Sequence, residues 1–423
     1  MSRTENSKLK PGDPRPKQIV SALLAWFSRH ARDLPWRRTR DPYAIWLSEI
    51  MLQQTQVKTV VPYWKRWMRE LPTLETLAAA SSDKVHKLWE GLGYYTRVRN
   101  LQKAARQIVA QQGTILESRR RRGDEAQIGG KLEAPPAFVR LRRGKHVVTC
   151  KFPEKFDDVL ALPGIGRYTA GAICSIAFNQ PTPILDGNVI RVLTRVFGIG
   201  SDPREKKTNA ELWKIAEELV VHASRSVSHA SPCSHFNQSL MELGALICTP
   251  RSPQCPACPL KTLCVAFNQD RIQQLPNLAR RGKPTARRFA AFVIERHGKF
   301  LARQRPAGGV NAQLWEFPNV EIGAQPGQPR SAAEAARTFG LELQNLNPFR
   351  TIKHSITRYR ITLEAYRAGT PVSDPAQSGN SVMKAPGRKP ALRSRWLTLS
   401  KLNELSFPSA HKKILAVLAE ARS

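Results

Sequence analysis

The sequence predicts a two-part protein, an all-α N-terminal part followed by an α+β C-terminal part. Apolar residues in the N-terminal part recur with helical spacing, beginning with Ile19, Leu23 and Phe27. Beyond residue 288, apolar and polar residues alternate as they do in strands, for example between Thr351 and Arg367. The length of 423 residues is enough for two or three domains, each with its own core.

Composition and charge restrict the class of protein. The hydrophobic share of 41% and charged share of 24% are those of a globular chain, not of a collagen-like or mainly disordered one. No apolar run approaches the ~18–20 residues that a membrane span needs, and the N-terminus lacks the apolar core of a secretion signal. We therefore expect an intracellular protein. Its net charge of +34 points to a polyanionic partner, most commonly nucleic acid.

Pattern changes along the chain predict the domain boundaries. Prolines and polar residues dominate the N-terminus, and two further stretches are basic and poor in apolar residues. The predicted division is a flexible tail at 1–17, a helical domain at 18–276 with a basic surface insertion at 113–151, a linker at 277–288, and an α+β domain at 289–423. Because the linker is polar, we expect a cut there to expose little core.

Three stretches predict particular elements. The run after Pro42 predicts one helix that continues until Pro62. The sequence around His297-Gly298 predicts the turn of a β-hairpin. The C-terminal sequences SAAEAARTFG and PSAHKKILAVLAEARS predict helices.

The run LPGIGRYTAGAI at 162–173 predicts a backbone site for phosphate. Gly164 and Gly166 permit a tight turn, and the helix that follows presents its N-terminal N–H groups. Such an arrangement binds phosphate without reading the base sequence. A glycine at an ordinary connection between two helices would give the same local pattern.

Two carboxylates stand out as candidates for acid–base chemistry. Glu49 lies in the apolar run between Leu47 and Leu52, where it either faces solvent or is partly buried. Burial would raise its pKa as a general acid requires. Asp186 precedes Gly187 in a turn that opens a helix. A simple N-cap aspartate would have the same sequence context.

Four of the seven cysteines are grouped, which in a reducing compartment indicates metal binding. Cys248, Cys255, Cys258 and Cys264 are separated by six, two and five residues. Four thiolates can hold tetrahedral zinc or a [4Fe–4S] cluster, and the spacing alone allows both.

The motifs taken together resemble one known family. In chain order they are LSEIMLQQTQV, GLGYYTR, LPGIGRYTAGAI, PILDGNV, FNQSLMELGALIC and the cysteine group. This series resembles the MutY family of A/G-specific adenine DNA glycosylases, a branch of the helix-hairpin-helix glycosylases that includes endonuclease III. The match covers about 18–112 and 151–270, and a weaker one covers about 288–423.

The resemblance implies a fold and a cofactor. It implies an all-α helix-hairpin-helix glycosylase domain with an iron–sulfur cluster loop, followed by an α+β Nudix-like domain. The four grouped cysteines would then ligate a [4Fe–4S] cluster. The expected partner is double-stranded DNA containing A:8-oxoguanine or A:G mispairs, bound by a monomer without a membrane, in the cytoplasm or nucleoid if the protein is bacterial.

The resemblance also implies a mechanism and its residues. Glu49 would protonate adenine N7 and Asp186 would stabilise the sugar cation, with Tyr168 and Asn188 as supporting donors. Gln54 and Tyr94 would wedge into the base stack, with Gln53 beside Gln54 on the helix of Glu49, and Gly164 and Gly166 would grip the backbone. The residues that would line the adenine pocket are Arg32, Leu34, Trp36 and Gln238.

Position 168 separates two activities within this superfamily. In the endonuclease III branch a lysine at that place attacks the sugar and cleaves the strand, whereas Tyr168 cannot form a Schiff base. We therefore expect a monofunctional glycosylase. The alternatives are an endonuclease III-like glycosylase and lyase for oxidised pyrimidines, which Tyr168 opposes, and a non-catalytic DNA-binding homologue, which the presence of both carboxylates opposes.

The C-terminal domain is expected to recognise 8-oxoguanine without hydrolysing nucleotides. A Nudix hydrolase needs a glutamate cluster for its metal ions, but here Glu334 is followed by Arg337 and Thr338 where paired glutamates would stand. In the segment HSITRYR, Ile356 would act as the wedge and Thr357 as the hydroxyl donor to the lesion.

Overall fold

The described residues up to 279 form helices joined by turns and loops, and the described strands begin at Thr285. The computed structural model describes residues 13–121, 150–226, 229–279, 282, 284–323, 328–337, 346–356, 358–368 and 393–421. The helices before residue 280 are α1 (Arg15–His30), α2 (Pro42–Leu52), α3 (Val57–Glu70), α4 (Leu74–Ala79), α5 (Ser82–Trp89), α6 (Thr96–Arg121), α7 (Phe156–Leu160), α8 (Arg167–Phe178), α9 (Gly187–Phe197), α10 (Lys206–Ser224), α11 (Pro232–Leu246) and α12 (Val265–Asn268). None of the described helices is both long and apolar enough to cross a membrane.

The described residues form two compact units, and one of them is discontinuous in sequence. The first comprises 1–79 and 100–280, and the second comprises 80–99 and 281–423. The prediction missed that 80–99 belongs with the C-terminal residues. Hydrogen bonds join Lys87 and Glu90 to residues 403–412. Removing the C-terminal residues by a cut at 277–288 would therefore expose Lys87 and Glu90, contrary to our expectation.

The core of the first unit lies among α1, α8, α9, α10 and α11. Apolar side chains from each helix are buried there, among them Leu23, Ile176, Val192, Leu219 and Phe236. Helix α1 contributes the face that its spacing predicted. This core fixes the starts of α8 and α9, where the predicted site residues lie.

The helix predicted from Pro42 to Pro62 is wrong, because the chain forms two helices there. Helix α2 ends at Leu52 and α3 begins at Val57, and Gln54 between them has a φ of 58°. A left-handed residue cannot continue a right-handed helix. Pro62 lies inside α3, where its ring costs one backbone hydrogen bond but does not end the helix.

The insertion predicted at 113–151 begins later than expected. Helix α6 continues to Arg121, nine residues into it. The rest of the insertion, up to residue 149, lies outside the described residues. Residues 150–151 belong to the first unit, where the Lys151 amide donates to the Gln112 side chain at 2.9 Å.

A tight turn between α7 and α8 contains the predicted hairpin glycines. Gly164 has a φ of 79°, and a Cβ added there would lie 2.6 Å from Cβ of Asn100. Both the backbone conformation and the close approach therefore require glycine at this position. Gly166 is the N-cap of α8, so the first N–H groups of that helix lie beside the turn.

The second unit is built on a mixed sheet with helices on both faces. Its elements are β1 (Thr285–Arg296), β2 (Lys299–Gln304), β3 (Trp315–Glu316), β4 (Asn319–Ile322), α13 (Ala332–Arg337), β5 (Asn347–Ile356), β6 (Tyr359–Ala368), β7 (Arg393–Thr398), α14 (Leu399–Glu404) and α15 (Ser409–Glu420). The predicted hairpin is confirmed by the pairing of Arg296 with Lys299, and the two C-terminal helices are confirmed as α13 and α15.

Strand β1 organises this sheet. It pairs in parallel with β6, from Thr285 opposite Tyr359 to Val293 opposite Arg367, and in antiparallel fashion with β4. Its last residues pair with β2, which also pairs with β3 and β7, while β5 pairs with β6. Helices α14 and α15 cover one apolar cluster of the sheet and α13 covers another.

Candidate active site

A cavity of about 650 Å³ in the first unit brings most of the predicted residues together. It lies among α2, α8, α9, α11 and the short 3-10 turn at Pro35–Arg37. Its volume is that of an ordinary small-molecule pocket. The predicted residues that line it are Arg32, Leu34, Trp36, Glu49, Gln53, Gln54, Tyr168, Asp186, Asn188 and Gln238.

Glu49 is a buried carboxyl group on the wall of this cavity. It is 6% exposed, and the hydroxyl of Tyr168 donates to its Oε2 at 2.8 Å. Burial raises the pKa of Glu49 to about 7, and the charge of Asp186 also raises it, against the opposing hydrogen bond from Tyr168. A group with this pKa is about half protonated at neutral pH and can act as an acid.

Asp186 caps the N-terminus of α9 and lies close enough to Glu49 for the two charges to interact. Its Oδ1 accepts from the Val189 amide at 2.7 Å, and its Oδ2 accepts from Asn188 Nδ2 at 3.3 Å. Burial raises the pKa of Asp186, while the backbone hydrogen bonds and the charge of Arg191 oppose that rise.

Arg191 fixes the turn that carries Asp186 and was not predicted. Its Nη2 donates to Asn188 Oδ1 at 2.8 Å and to the Gly244 carbonyl at 2.7 Å, and its Nε donates to the Cys248 carbonyl at 2.7 Å. A Cβ at Gly244 would lie 2.7 Å from Cβ of Asn188. Helices α9 and α11 therefore hold Asn188 from both sides.

Glu242 and Arg37 are further cavity residues that the sequence analysis missed. Glu242 is fully buried and accepts from Arg32 Nη2 at 2.7 Å and from Arg37 Nη2 at 3.0 Å. Burial would raise the pKa of Glu242, but hydrogen bonds from the two arginines lower it to about 2. A carboxylate within the apolar run SLMELGAL was the available signal, the same one that identified Glu49.

Both parts of the chain match known families. The model of the HhH-GPD superfamily base excision DNA repair protein matches residues 47–218, and that of the NUDIX domain matches 290–417. A solved structure of a thermostable thymine-DNA glycosylase covers 61% of this chain and 100% of its own, at 27% identity and a TM-score of 0.46.

Two relatives extend over nearly the whole chain. The adenine DNA glycosylase of Homo sapiens is 34% identical over 94% of this chain and 73% of its own length. That of Rattus norvegicus is 34% identical over 95% of this chain and 78% of its own length. The chain belongs to the adenine DNA glycosylase family.

The predicted resemblance and the two-domain fold class are thereby confirmed. This member of the adenine DNA glycosylase family is a base-excision repair glycosylase that acts on N-glycosyl bonds, and its partner is DNA. Its helix-hairpin-helix domain precedes a Nudix-like domain.

The two glutamines lie differently from the prediction. Both line the cavity, but they lie in the turn after α2 and not on the helix of Glu49. Gln54 is exposed and has the left-handed backbone noted above. Because Gln54 lies outside α2, packing of that helix does not fix its side chain.

Tyr94 lies in the second unit and is not a core residue. It is 45% exposed and has a φ of 46°, between two glycines and the start of α6. Trp36, by contrast, is buried, and its ring packs edge-on against Trp64 at 6.1 Å while it lines the cavity.

The four grouped cysteines surround a second cavity in the first unit. All of them line it, together with the cationic side chains of Arg195 and Lys261. Arg195 is buried, and its Nη1 lies 3.4 Å from Cys248 Sγ. Among the described residues, no three His, Cys, Asp or Glu side chains are placed to hold a single metal ion. Four thiols around one cavity beside a buried cation fit instead a larger, negatively charged metal cluster.

The predicted lesion-reading segment forms the tip of the β5–β6 hairpin. Ile356 ends β5 opposite Tyr359, and Arg358 lies in the turn with its Nη2 donating to the Tyr359 hydroxyl. Thr357 lies outside the described residues, as does Thr338. Glu334 is on α13, where its carboxylate accepts from the Arg330 amide at 2.8 Å.

The burial of Glu49 predicts a pH-dependent cost to stability. Because its pKa rises from 4.5 in the unfolded chain to about 7 in the fold, stability is lost as pH increases between these values. Glu49→Gln removes this loss. The unfolding free energy of the variant minus that of the wild type should therefore be ~3 kcal/mol larger at pH 8 than at pH 4. Denaturant titration of both proteins at both pH values measures this difference.

Glu70→Gln, which alters an exposed carboxylate on α3, is the control for this comparison. Burial contributes nothing to its effect, because the side chain is exposed. A difference for Glu49→Gln that stays constant from pH 4 to pH 8 would mean that Glu49 is not held protonated by the fold.

Proposed function

We propose that the protein removes adenine paired with 8-oxoguanine or guanine in double-stranded DNA. The observation that carries this proposal is a carboxyl group with a pKa of about 7 and a second carboxylate beside it in one cavity of about 650 Å³. The adenine DNA glycosylase relatives support it. The reaction is hydrolysis of the N-glycosidic bond after the adenine has been flipped out of the duplex.

Base flipping requires side chains that replace the base in the stack. A stacked adenine hides its glycosidic bond, and unstacking it costs a few kcal/mol. We assign this replacement to Gln54 and Tyr94, because both are exposed on strained turns with positive φ. Such side chains can enter a base stack without first leaving a packed core.

Glu49 is the proposed general acid. Tyr168 holds its Oε2, so the proton is carried by Oε1 and passes to N7 of the extruded adenine. Protonation turns the adenine into a neutral leaving group and weakens the bond to the sugar. The apolar surroundings of Glu49 supply the raised pKa that an acid needs near neutral pH.

Asp186 is the proposed partner of the sugar cation. As adenine departs, positive charge develops on the sugar, and an anion held by the Val189 amide and Asn188 stabilises it. Water then completes the hydrolysis, as in glycosidases that use two carboxyl groups. Arg191 keeps the Asn188 amide oriented toward Asp186.

The adenine pocket is assigned to Arg32, Leu34, Trp36 and Gln238. Leu34 and Trp36 give buried apolar surface for the faces of the base, and the Gln238 amide and Arg32 give polar groups for its edge. Glu242 holds the guanidinium of Arg32 by two hydrogen bonds, so this edge is preorganised.

The absence of an amine at position 168 supports a monofunctional enzyme. Tyr168 is a buried phenol whose pKa lies well above 10 because of burial and the nearby carboxylates. It therefore stays a neutral donor and forms no Schiff base with the sugar. The product would be an abasic site in an unbroken strand.

DNA is held by the backbone of the hairpin at Gly164 and Gly166. The N–H groups at the start of α8 can donate to a phosphate, and the net charge of +34 adds attraction independent of sequence. We propose that the enzyme works as a monomer inside the cell, in the cytoplasm or nucleoid in a bacterium. The four grouped cysteines form no disulfide, as is usual for cysteines in a reducing compartment.

The Nudix-like domain is assigned to reading 8-oxoguanine. Ile356 is the last residue of β5, opposite Tyr359 of β6, and we propose that its side chain contacts the base. Hydrolysis by this domain is disfavoured because Glu334 already accepts the Arg330 amide and Arg337 lies on the same helix. Among the described residues of α13, a Mg²⁺ ion would meet the carboxylate of Glu334 and the like charge of Arg337.

A [4Fe–4S] cluster is the proposed occupant of the cysteine cavity. Cys248, Cys255, Cys258 and Cys264 would ligate it, because four sulfurs around one cavity suit a group whose irons are spread over several ångströms. Bound there, the cluster would stiffen residues 248–264 and supply no step of the hydrolysis. Arg195 would compensate its negative charge.

Removing either carboxylate should stop the reaction. Glu49→Gln cannot deliver a proton and Asp186→Asn cannot offset the sugar cation, so each should lower the single-turnover rate at least a hundredfold, ~3 kcal/mol. The measurement is adenine release from a duplex with one A:8-oxoguanine pair, analysed with and without alkali. Without alkali, the strand should stay intact even for the wild type.

Asp41→Asn is the matched control for Asp186→Asn. Asp41 also caps a helix, accepting from the Tyr43 amide at 3.0 Å, but it does not line the cavity. Asparagine caps helices as well as aspartate does. Equal rates for the two variants would reduce Asp186 to a capping residue, and more than a tenth of the wild-type rate for Glu49→Gln would exclude it as the acid.

The metal assignment predicts a coloured, iron-containing protein. The purified enzyme should absorb broadly in the visible range and contain iron equivalent to one cluster per chain, and Cys258→Ser should lose most of both. Cys150→Ser, which changes a cysteine remote from the cavity lining, should lose neither. A colourless, active preparation loaded with zinc would reverse the assignment.

The hairpin assignment predicts a loss of selectivity. Ile356→Ala should lower the ratio of single-turnover rates on A:8-oxoguanine and A:G duplexes by roughly three- to tenfold, because the lost apolar contact is worth ~1 kcal/mol. Val310→Ala changes an equally apolar, 63% exposed side chain elsewhere in the same unit and should leave the ratio unchanged. An unaltered ratio for Ile356→Ala would move lesion reading away from this hairpin.

A further inference from the structure

The turn that carries Tyr94 is attached to the Nudix-like domain at both of its ends. Residues 80–99 belong to the second unit together with residues 281–423. At one end Glu90 follows α5, and at the other Arg99 lies in the first turn of α6. Both residues bond to parts of the chain beyond residue 300.

Glu90 is a buried carboxylate held by three donors. Its side chain is 6% exposed and accepts from Lys412 Nζ at 2.7 Å, from Lys87 Nζ at 3.0 Å and from the Phe407 amide at 3.2 Å. Phe407 belongs to the apolar core under α15. Burial would raise the pKa of Glu90, but these three donors lower it, so the group is an anion at neutral pH.

Three further hydrogen bonds attach the segment to residues beyond 300. Lys87 Nζ also donates to the Asn403 carbonyl at 2.7 Å and the Leu405 carbonyl at 3.2 Å. Arg99 Nη1 donates to the Ala312 carbonyl at 2.8 Å. The segment is thus bonded to residues 403–412 on one side of Tyr94 and to Ala312 on the other.

Between these anchors the turn is braced internally. Trp89 Nε1 donates to the Gly93 carbonyl at 2.9 Å, and Arg97 Nη2 donates to the Leu92 carbonyl at 2.8 Å. The Arg97 guanidinium lies 5.2 Å from the Trp89 ring centre and 5.7 Å from that of Tyr94. Tyr94 is therefore an exposed ring with a φ of 46° on an otherwise fixed turn.

We infer that Glu90 is a positioning residue that, with Lys412 and the Phe407 amide, holds the Tyr94 turn on the Nudix-like domain in the conformation that enters the base stack. This inference rests on the proposed role of Tyr94 in base flipping. A wedge acts against the unstacking cost only if its own position is fixed beforehand, because a mobile turn would lose entropy on insertion. The Nudix-like domain thereby contributes to extrusion of the adenine as well as to reading the opposite base.

The test measures base extrusion separately from base release. The full-length enzyme is mixed with a duplex carrying 2-aminopurine opposite 8-oxoguanine, and the fluorescence rise reports unstacking. Adenine release from an A:8-oxoguanine duplex is measured in parallel. Glu90→Gln should slow both about tenfold and leave the pH dependence of release, set by Glu49, unchanged.

A double-mutant cycle with Tyr94 separates positioning from general destabilisation. In the Tyr94→Ala background, Glu90→Gln should have less than a twofold further effect, because the wedge that it positions is gone. Equal effects of Glu90→Gln with and without Tyr94→Ala would overturn the inference. Lys412→Met, on a 55% exposed side chain of α15, is the milder second variant and should show the same dependence on Tyr94.

Glu404→Gln is the matched control. It removes the carboxylate of an exposed pair with Lys401 at 3.0 Å on α14, and it should leave extrusion and release at wild-type rates. If Glu90→Gln and Lys412→Met also show wild-type rates, the positioning role is refuted, and the proposed reaction is unaffected. A wild type that raises fluorescence but releases no base would refute the proposed reaction, and the fluorescence cycle would still decide the role of Glu90.

Discussion

The chemistry assigned to this protein depends on a carboxyl group being kept out of water. An exposed glutamate is ionised at neutral pH, and only the loss of solvation at Glu49 brings its pKa to about 7. The Tyr168 hydroxyl opposes this shift while fixing the carboxyl group in place. The cavity thus combines a desolvated acid with a single oriented donor, and α2, α8 and α9 are arranged to maintain both.

The charges around the cavity are arranged to complement this acid. Glu242 is ionised because two guanidinium groups surround it, whereas Glu49, with one phenol, is poised to be neutral. The two glutamates thus differ in protonation within one pocket. Arg32 and Arg37, fixed by Glu242, line a cavity whose acid must remain uncharged.

Local sequence patterns predicted the two-part fold, the carboxylates Glu49 and Asp186 and the glycine turn, whereas the other cavity residues came from the resemblance to the family. An apolar run containing one carboxylate marks burial, and Gly164 and Gly166 mark a turn. The features that sequence analysis missed depend on the backbone conformation and on distant contacts. Helix α2 ends at Leu52 because Gln54 is left-handed. Arg191 and Glu242 bond to partners ~50 and ~200 positions away in the sequence. The raised pKa of Asp186 was missed because burial depends on how α9 and α11 pack.

The discontinuous second unit has a consequence for how the chain is made. Glu90 meets the Phe407 amide and Lys412 across 317 and 322 residues of sequence. At about 5–20 residues per second, a ribosome needs roughly 15–60 s to travel that distance. During this interval the segment 80–99 has been synthesised but the surface that completes it has not. The nascent chain must therefore keep a charged segment with three aromatic residues unaggregated until residues 403–412 have been made.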